Sequence, residues 1–326
     1  MKKLTLLLAL LILSINYVKA RKIVYSNLHE TTEQKNEHKY SGSWNSLNDS
    51  LTIDTLFKGV KKIVFSGHIN NKILVRGSKR ETVALNFDYN LKVKGVYAKK
   101  NRRCKLSYTL KDSVLTVDLE RKNYVFIGMS YVKETTRMVF EVPENIAVTI
   151  NASYGDVEVN NLSNNNYHIK TTSGDIKTER VNGNIDLSCS YGDISLKQIS
   201  GKIDAKTISG DVKTERVNGN IYLSCSYGDI SLKQISGNID AKTTSGDITG
   251  NNINVVDALN IVCSSGDVDC ELTNPTPELM FNLYTLSGKI KVRRQDLSYK
   301  GFGDYAFGQG KVKITAESTS GNIIFR

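Results

Sequence analysis

Glycine returns every nine residues over one long stretch of the chain, at Gly174, Gly183, Gly192, Gly201, Gly210, Gly219, Gly228, Gly237 and Gly246. A fixed period of this kind is the mark of a repeat architecture, because each unit is one small supersecondary element stacked on the next. Asp follows every second glycine, at Asp175, Asp193, Asp211, Asp229 and Asp247, while Asn184, Lys202, Asn220 and Asn238 follow the others. The true unit is therefore eighteen residues, two strands and two turns. A longer period lies on top: Lys177–Asp211 and Lys213–Asp247 differ only at Asp186/Tyr222, Lys202/Asn238 and Ile208/Thr244.

Counted from its glycine, each nonapeptide alternates apolar and polar residues, the period of a half-buried strand. The third position reads Ile176, Ile194, Val212 and Ile230 after the Gly-Asp turns, and Ile185, Ile203, Ile221 and Ile239 after the others. The fifth position pairs a larger with a smaller side chain: Leu187 with Thr178, Leu196 with Ala205. A core of constant thickness needs that compensation. The sixth position reads Glu179, Lys197, Glu215 and Lys233, so stacked units would bring opposite charges together. These patterns predict an all-β protein whose residues 151–326 form a parallel β-solenoid, a β-helix or β-roll with coils of about 18 residues.

Residues 51–150 carry further strand patterns, at Lys62–Phe65, Ile73–Arg76, Thr82–Phe87, Leu91–Val96, Lys105–Leu110, Val114–Leu119, Met138–Val142 and Ala147–Ile150. They predict a strand-rich N-terminal region, with Pro143 ending one strand because proline cannot donate to a ladder. Glycine-to-glycine coil lengths then run 19 residues from Gly155, four times 18, and 20, 22 and 33 up to Gly321. The last gap predicts an inserted loop at about 293–310, rich in aromatics and bearing Arg293, Arg294, Asp296 and Asp304. Such a loop serves either as a binding face or as the cap that an open solenoid end requires.

Lys2 and Lys3, an apolar run from Leu4 to Ile15, and Val18-Lys19-Ala20 read as a signal peptide over residues 1–20. Residues 21–50 read as a polar leading segment in which His29, Glu30 and Glu33 lack the second histidine of a His-Glu-x-x-His zinc motif. No later apolar run is long enough to span a membrane, so the chain is expected in the periplasm, on the outer surface or secreted. The net charge is +11, and +8 without Lys2, Lys3 and Lys19. That surplus favours an anionic polysaccharide or another envelope component as partner. Nucleic acid is disfavoured, because the basic run Lys99–Arg103 has no interleaved stacking aromatics.

No catalytic, cofactor or metal residue is assigned. The Asp column invites calcium, but each turn supplies one carboxylate and the extra glycines of calcium-binding nonapeptides are missing. Its carboxylates are expected to accept N–H groups of their own turns. Cys189, Cys225 and Cys263 precede turn glycines and read as small buried side chains, and the first two, two coils apart in one column, are too far apart to pair. Cys104 and Cys270 are left open.

The leader, the break at Phe140–Ala147 and the many Ser-Gly-Asp-Ile strands together resemble the bacterial exported putative-adhesin family, domains of unknown function with a β-solenoid. That resemblance, over about residues 50–326, implies a non-catalytic envelope or surface protein that presents a repetitive face, and it carries no site residue with it. The alternative is a carbohydrate-active β-helix enzyme, a polysaccharide lyase or hydrolase, which would need paired carboxylates converging at one break in the pattern.

Overall fold

The computed structural model describes residues 46–94, 104–121, 131–293, 297–300 and 303–326. The expected signal peptide, most of the polar leader with His29, the basic run at Lys99–Arg103, and Arg294 and Asp296 lie outside these. Described residues form strands joined by turns, apart from one 3-10 turn at Thr276–Glu278.

The repeat folds as its period requires. β9 (Asp156–Ser173), β10 (Ile176–Tyr191), β11 (Ile194–Ser200), β12 (Ile203–Ser209), β13 (Val212–Asn218), β14 (Ile221–Tyr227), β15 (Ile230–Ser245) and β16 (Ile248–Ser265) wind through two faces. All pair in parallel at a shift of one unit: Ile176 lies beside Ile194, Ile194 beside Val212, and Ile185 beside Ile203. Glu179, Lys197, Glu215 and Lys233 are successive neighbours, although the carboxylates of Glu179 and Glu215 form ion pairs with Arg180 and Arg216. The inward columns are buried, including the alternating pairs Thr178/Leu187 and Leu196/Ala205. Each buried aliphatic side chain stabilises the stack by about 1.5–3 kcal/mol relative to exposure.

Glycine stands at the corners because the next rung lies directly on it. Gly210 has φ +138°, and a Cβ there would sit 2.2 Å from the Gly192 carbonyl oxygen. A second corner is made without glycine. Asn161, Arg180, Gln198, Arg216, Gln234 and Asn252 all hold φ between 54° and 59°, and the pairing skips them, passing from Glu179↔Lys197 to Val181↔Ile199. Stacked strands skip the same position, so the register is kept and the kink bends one face of each of these coils. It costs about 1–2 kcal/mol per non-glycine residue, which the ordered neighbours on both sides must offset.

The parallel wrap starts well before the glycine repeat. β2 (Lys62–Gly67) pairs in parallel with β6 (Val114–Arg121) and with β8 (Ala147–Tyr154). β3 (Lys72–Ser78) pairs in parallel with β7 (Tyr131–Pro143) and β9. The first rung of the chain thus sits between two later ones, and a single buried cluster runs from Leu51 to Phe325. β4 (Thr82–Lys94) unites two strands expected separately and lies antiparallel to β7. β1 (Ser46–Lys58) lies antiparallel to β4, and β5 (Cys104–Lys111) antiparallel to β6. β1 claims residues 46–50 from the segment expected to be a polar leader, since Asp49 is drawn into the sheet beside Leu91.

The far end repeats the device. β17 (Val268–Leu272) is followed by β18 (Leu279–Ser287) and β19 (Lys289–Val292), yet β22 (Val312–Ser320) and β23 (Ile323–Phe325) lie between them. Coils therefore do not stack in chain order, because the last is inserted before the one preceding it. The segment at 293–310, expected as an inserted loop, holds two strands among its described residues, with loop at 308–310. β20 (Leu297–Lys300) pairs antiparallel with β19, and β21 (Gly303–Phe307) pairs antiparallel with β18. Both ends of the parallel stack thus finish in antiparallel strands.

Candidate functional site

The aromatic segment near the C-terminus covers the core. Tyr299 and Tyr305 stack at 4.0 Å between centroids, Phe307 stacks on Phe281 at 5.1 Å, and Phe281 meets Phe325 at 5.5 Å. Tyr299, Tyr305 and Phe307 are partly buried against the cluster that holds Phe281 and Phe325, so they act as the cap, and Asp304 is exposed to solvent. Phe57 and Tyr108 close the other end with an edge-on contact at 5.3 Å.

The Asp column forms a ladder along one corner. The expected acceptor pattern is corrected in one respect: the partner is the next rung and not the carboxylate's own turn. Oδ1 of Asp175 accepts the N–H of Asp193 at 3.1 Å, Asp193 that of Asp211 at 2.8 Å, Asp211 that of Asp229 at 3.0 Å and Asp229 that of Asp247 at 2.8 Å. Asp156 starts the row, and Asp267 ends it by accepting from Asn322. Stacking in register leaves no room for a carboxylate to fold back on its own turn, while the next turn's N–H points at it. Like charges one rung apart repel by about 1 kcal/mol in water. The N–H groups and nearby lysines offset this, with Lys213 Nζ 2.9 Å from Asp211 and 3.9 Å from Asp193. The Asp229 N–H, followed by Lys213, holds the Asp211 carboxyl below its ordinary range.

Beside that ladder runs a row that sequence reasoning passed over. Tyr154, Tyr191 and Tyr227 alternate with Ser173, Ser209 and Ser245 on successive rungs. Tyr191 is 60% exposed and Tyr227 61%. The signal was present in the motif, since tyrosine precedes the turn glycine only at alternate Gly-Asp corners.

Inside the same corner, Thr171, Cys189, Thr207, Cys225, Thr243 and Cys263 form an inward column. Their hydroxyls and thiols donate to backbone carbonyls at the turns, as in Thr207 to Gly192 at 3.1 Å and Cys225 to Gly210 at 3.0 Å. The cysteines are thus buried donors as well as spacers. Burial pushes the thiols of Cys189, Cys225 and Cys263 up to about 11, and that of Cys270 up to about 12. Cys104 lies on β5 at the N-terminal end of the stack, and Cys270 lies on β17, between β16 and β23.

Two shallower features lie elsewhere. A groove of about 590 Å³ is lined by Lys62, Tyr167, His168, Asp186, Lys202 and Asp204, and in it His168 Nδ1 meets Asp186 at 2.9 Å. Near β2, Arg121 bridges Glu134 at 2.6 Å and contacts His68, whose ring lies against Tyr154. Burial, then the Arg121 charge, lowers the His68 pKa. Among the described residues no group of three or more His, Cys, Asp or Glu converges to hold a metal ion. Nor is any helix there long and apolar enough to cross a membrane.

No curated protein matches the chain significantly. Three solved structures match the chain at low identity. A putative adhesin from Bacteroides fragilis is 15% identical, with 85% of this chain and 97% of that one covered and a TM-score of 0.40. A putative adhesin from Parabacteroides merdae is 12% identical over 86% and 97%, with a TM-score of 0.26. A putative cell adhesion protein from Clostridium sporogenes is 11% identical over 85% and 99%, with a TM-score of 0.25. The model of one family, Toastrack DUF4097, matches residues 60–325. That span takes in the inserted first rung, the glycine repeat and the antiparallel strands other than β1, and the chain belongs to the Toastrack DUF4097 family.

Proposed function

We propose that the protein is an exported, non-catalytic component of the cell envelope or surface that binds other surface components along its repetitive solenoid. The observation that carries this reading is the set of outward side-chain rows held one strand spacing apart, exemplified by Asp175, Asp193, Asp211, Asp229 and Asp247. Rows of equal members suit a repetitive partner. Catalysis needs unequal groups brought together at one point. The charged n-region and apolar run of residues 1–20 support export.

The test is incubation of purified protein with envelope and host polysaccharides, following both retention and the release of reducing or unsaturated ends. Retention without product is expected. Product formation would replace this reading with a polysaccharide lyase or hydrolase. Cell fractionation tests export, and recovery of the full-length chain in the cytosol would contradict it.

A further inference from the structure

We propose that the corner carrying Tyr191 and Tyr227 binds an extended, neutral, β-linked polysaccharide. The tyrosine rings would pack against sugar faces while the neighbouring Asp and Lys side chains bond the hydroxyls. This deepens the surface-binding reading and rests on it.

The fold does not need these tyrosines. Ser173, Ser209 and Ser245 fill the same register position on the intervening rungs, so a small polar residue satisfies the turn. Large aromatic side chains held about 60% open, at Tyr191 and Tyr227, therefore call for another reason than packing. Their spacing gives one. Two rungs of parallel strand amount to about 9.5 Å, close to the length of one disaccharide in an extended β-linked chain. The 36-residue duplication sets that interval. A ring at each interval would meet the same face of every second sugar, and the C–H-rich face of a pyranose suits the negative face of an aromatic ring. Tyr154 lies two rungs before Tyr191 on the same line, resting against His68 at 4.5 Å.

The flanking ladder defines the rest of the chemistry. Each Asp commits Oδ1 to the next rung's N–H, and Oδ2 lies on the outer side, where Lys177 approaches Asp175 at 3.6 Å and Lys213 approaches Asp211 at 2.9 Å. The edge thus offers a carboxylate acceptor at every rung and a lysine donor at alternate rungs, with Ser195 and Ser231 in the lysine's register position between them, a mixture that suits a row of hydroxyls. The row of carboxylates from Asp156 to Asp267 also repels an anionic polymer laid along it. Although the whole chain is basic, this edge selects a neutral ligand.

The experiment measures binding of the full chain to cellohexaose and chitohexaose, with polygalacturonate as the anionic comparison. Tyr191→Ser/Tyr227→Ser is the decisive variant, since serine already serves on alternate rungs. Tyr191→Phe/Tyr227→Phe keeps the ring faces. Wild type should bind a neutral hexasaccharide, the double Ser variant should lose about tenfold or more in affinity, and the double Phe variant should stay within about threefold. Equal affinity of wild type and the double Ser variant would overturn the proposal, as would preference for polygalacturonate. Retention on other polysaccharides that is indifferent to both tyrosines would remove this site and leave the surface-binding reading standing. Retention on none would remove both.

Discussion

Gly210→Ala is the sharpest perturbation of the stack. The new methyl would lie 2.2 Å from the Gly192 carbonyl oxygen, where side-chain carbons do not approach within 3.0 Å. The rungs would have to part by about 1 Å, a fifth of a strand spacing of about 4.8 Å. Parting them stretches the Gly192 N–H to Ser209 carbonyl bond, now 2.9 Å, and the Asp211 N–H to Asp193 bond, now 2.8 Å. The φ of +138° adds backbone strain. Strain of about 1–3 kcal/mol and overpacking of about 1–3 kcal/mol give a loss of about 2–6 kcal/mol. Gly59→Ala is the control. Its φ is +71° and a Cβ there meets nothing within 4 Å, so only a left-handed cost of about 1–2 kcal/mol applies. Urea unfolding followed by far-UV circular dichroism compares the two, and amide exchange on flanking rungs localises the damage if the repeat array unfolds in steps. Equal shifts in midpoint, or a larger shift for Gly59→Ala, would refute the claim that close approach dictates glycine at the corners.

Other outcomes follow from the same contacts. Asp211→Ala removes the acceptor for the Asp229 N–H and should cost about 1 kcal/mol, whereas Asp211→Asn keeps a side-chain oxygen there and should stay within about 0.5 kcal/mol; chemical unfolding separates them. Because the Asp211 pKa is lowered in the folded chain, its contribution is present above the unfolded value of 3.8 and is lost as pH falls through the folded one. Thermal midpoints should therefore drop on acidification through that window, and Asp211→Asn should blunt the drop. Cys189, Cys225, Cys263 and Cys270 should resist a maleimide at pH 8 in the native state and react in denaturant, since burial raises their thiol pKa to about 11 or 12; mass spectrometry reads the labels.

The repeat was legible because its constraints are local. Alternation assigns Ile176, Leu187, Leu196 and Ala205 to the core, and the period alone places Glu179 beside Lys197. The second corner was legible too, since Glu179 and Arg180 are consecutive outward residues and break the alternation where the kink lies. What local pattern does not encode is the order of rungs. The rungs on either side of Ile314 look alike from its own sequence, yet its register partners are Leu259 on one side and Phe281 on the other. Only the long gap before Gly321 and the prolines at 275 and 277 hint that the chain leaves space and returns. Similarly, the Asp column was visible as a column, while the direction of its hydrogen bonds depended on the stacked neighbour.

The most direct test of the rung architecture is a spin-label distance series along one outward column. Glu179, Lys197, Glu215, Lys233 and Asn251 occupy successive rungs. Labels at Glu179 and Asn251 should therefore stand about 19 Å apart, and moving the second label back to Lys233 should shorten the distance by about 4.8 Å. A separation that fails to shorten by one strand spacing, or that exceeds it severalfold, would contradict the stack of eighteen-residue rungs.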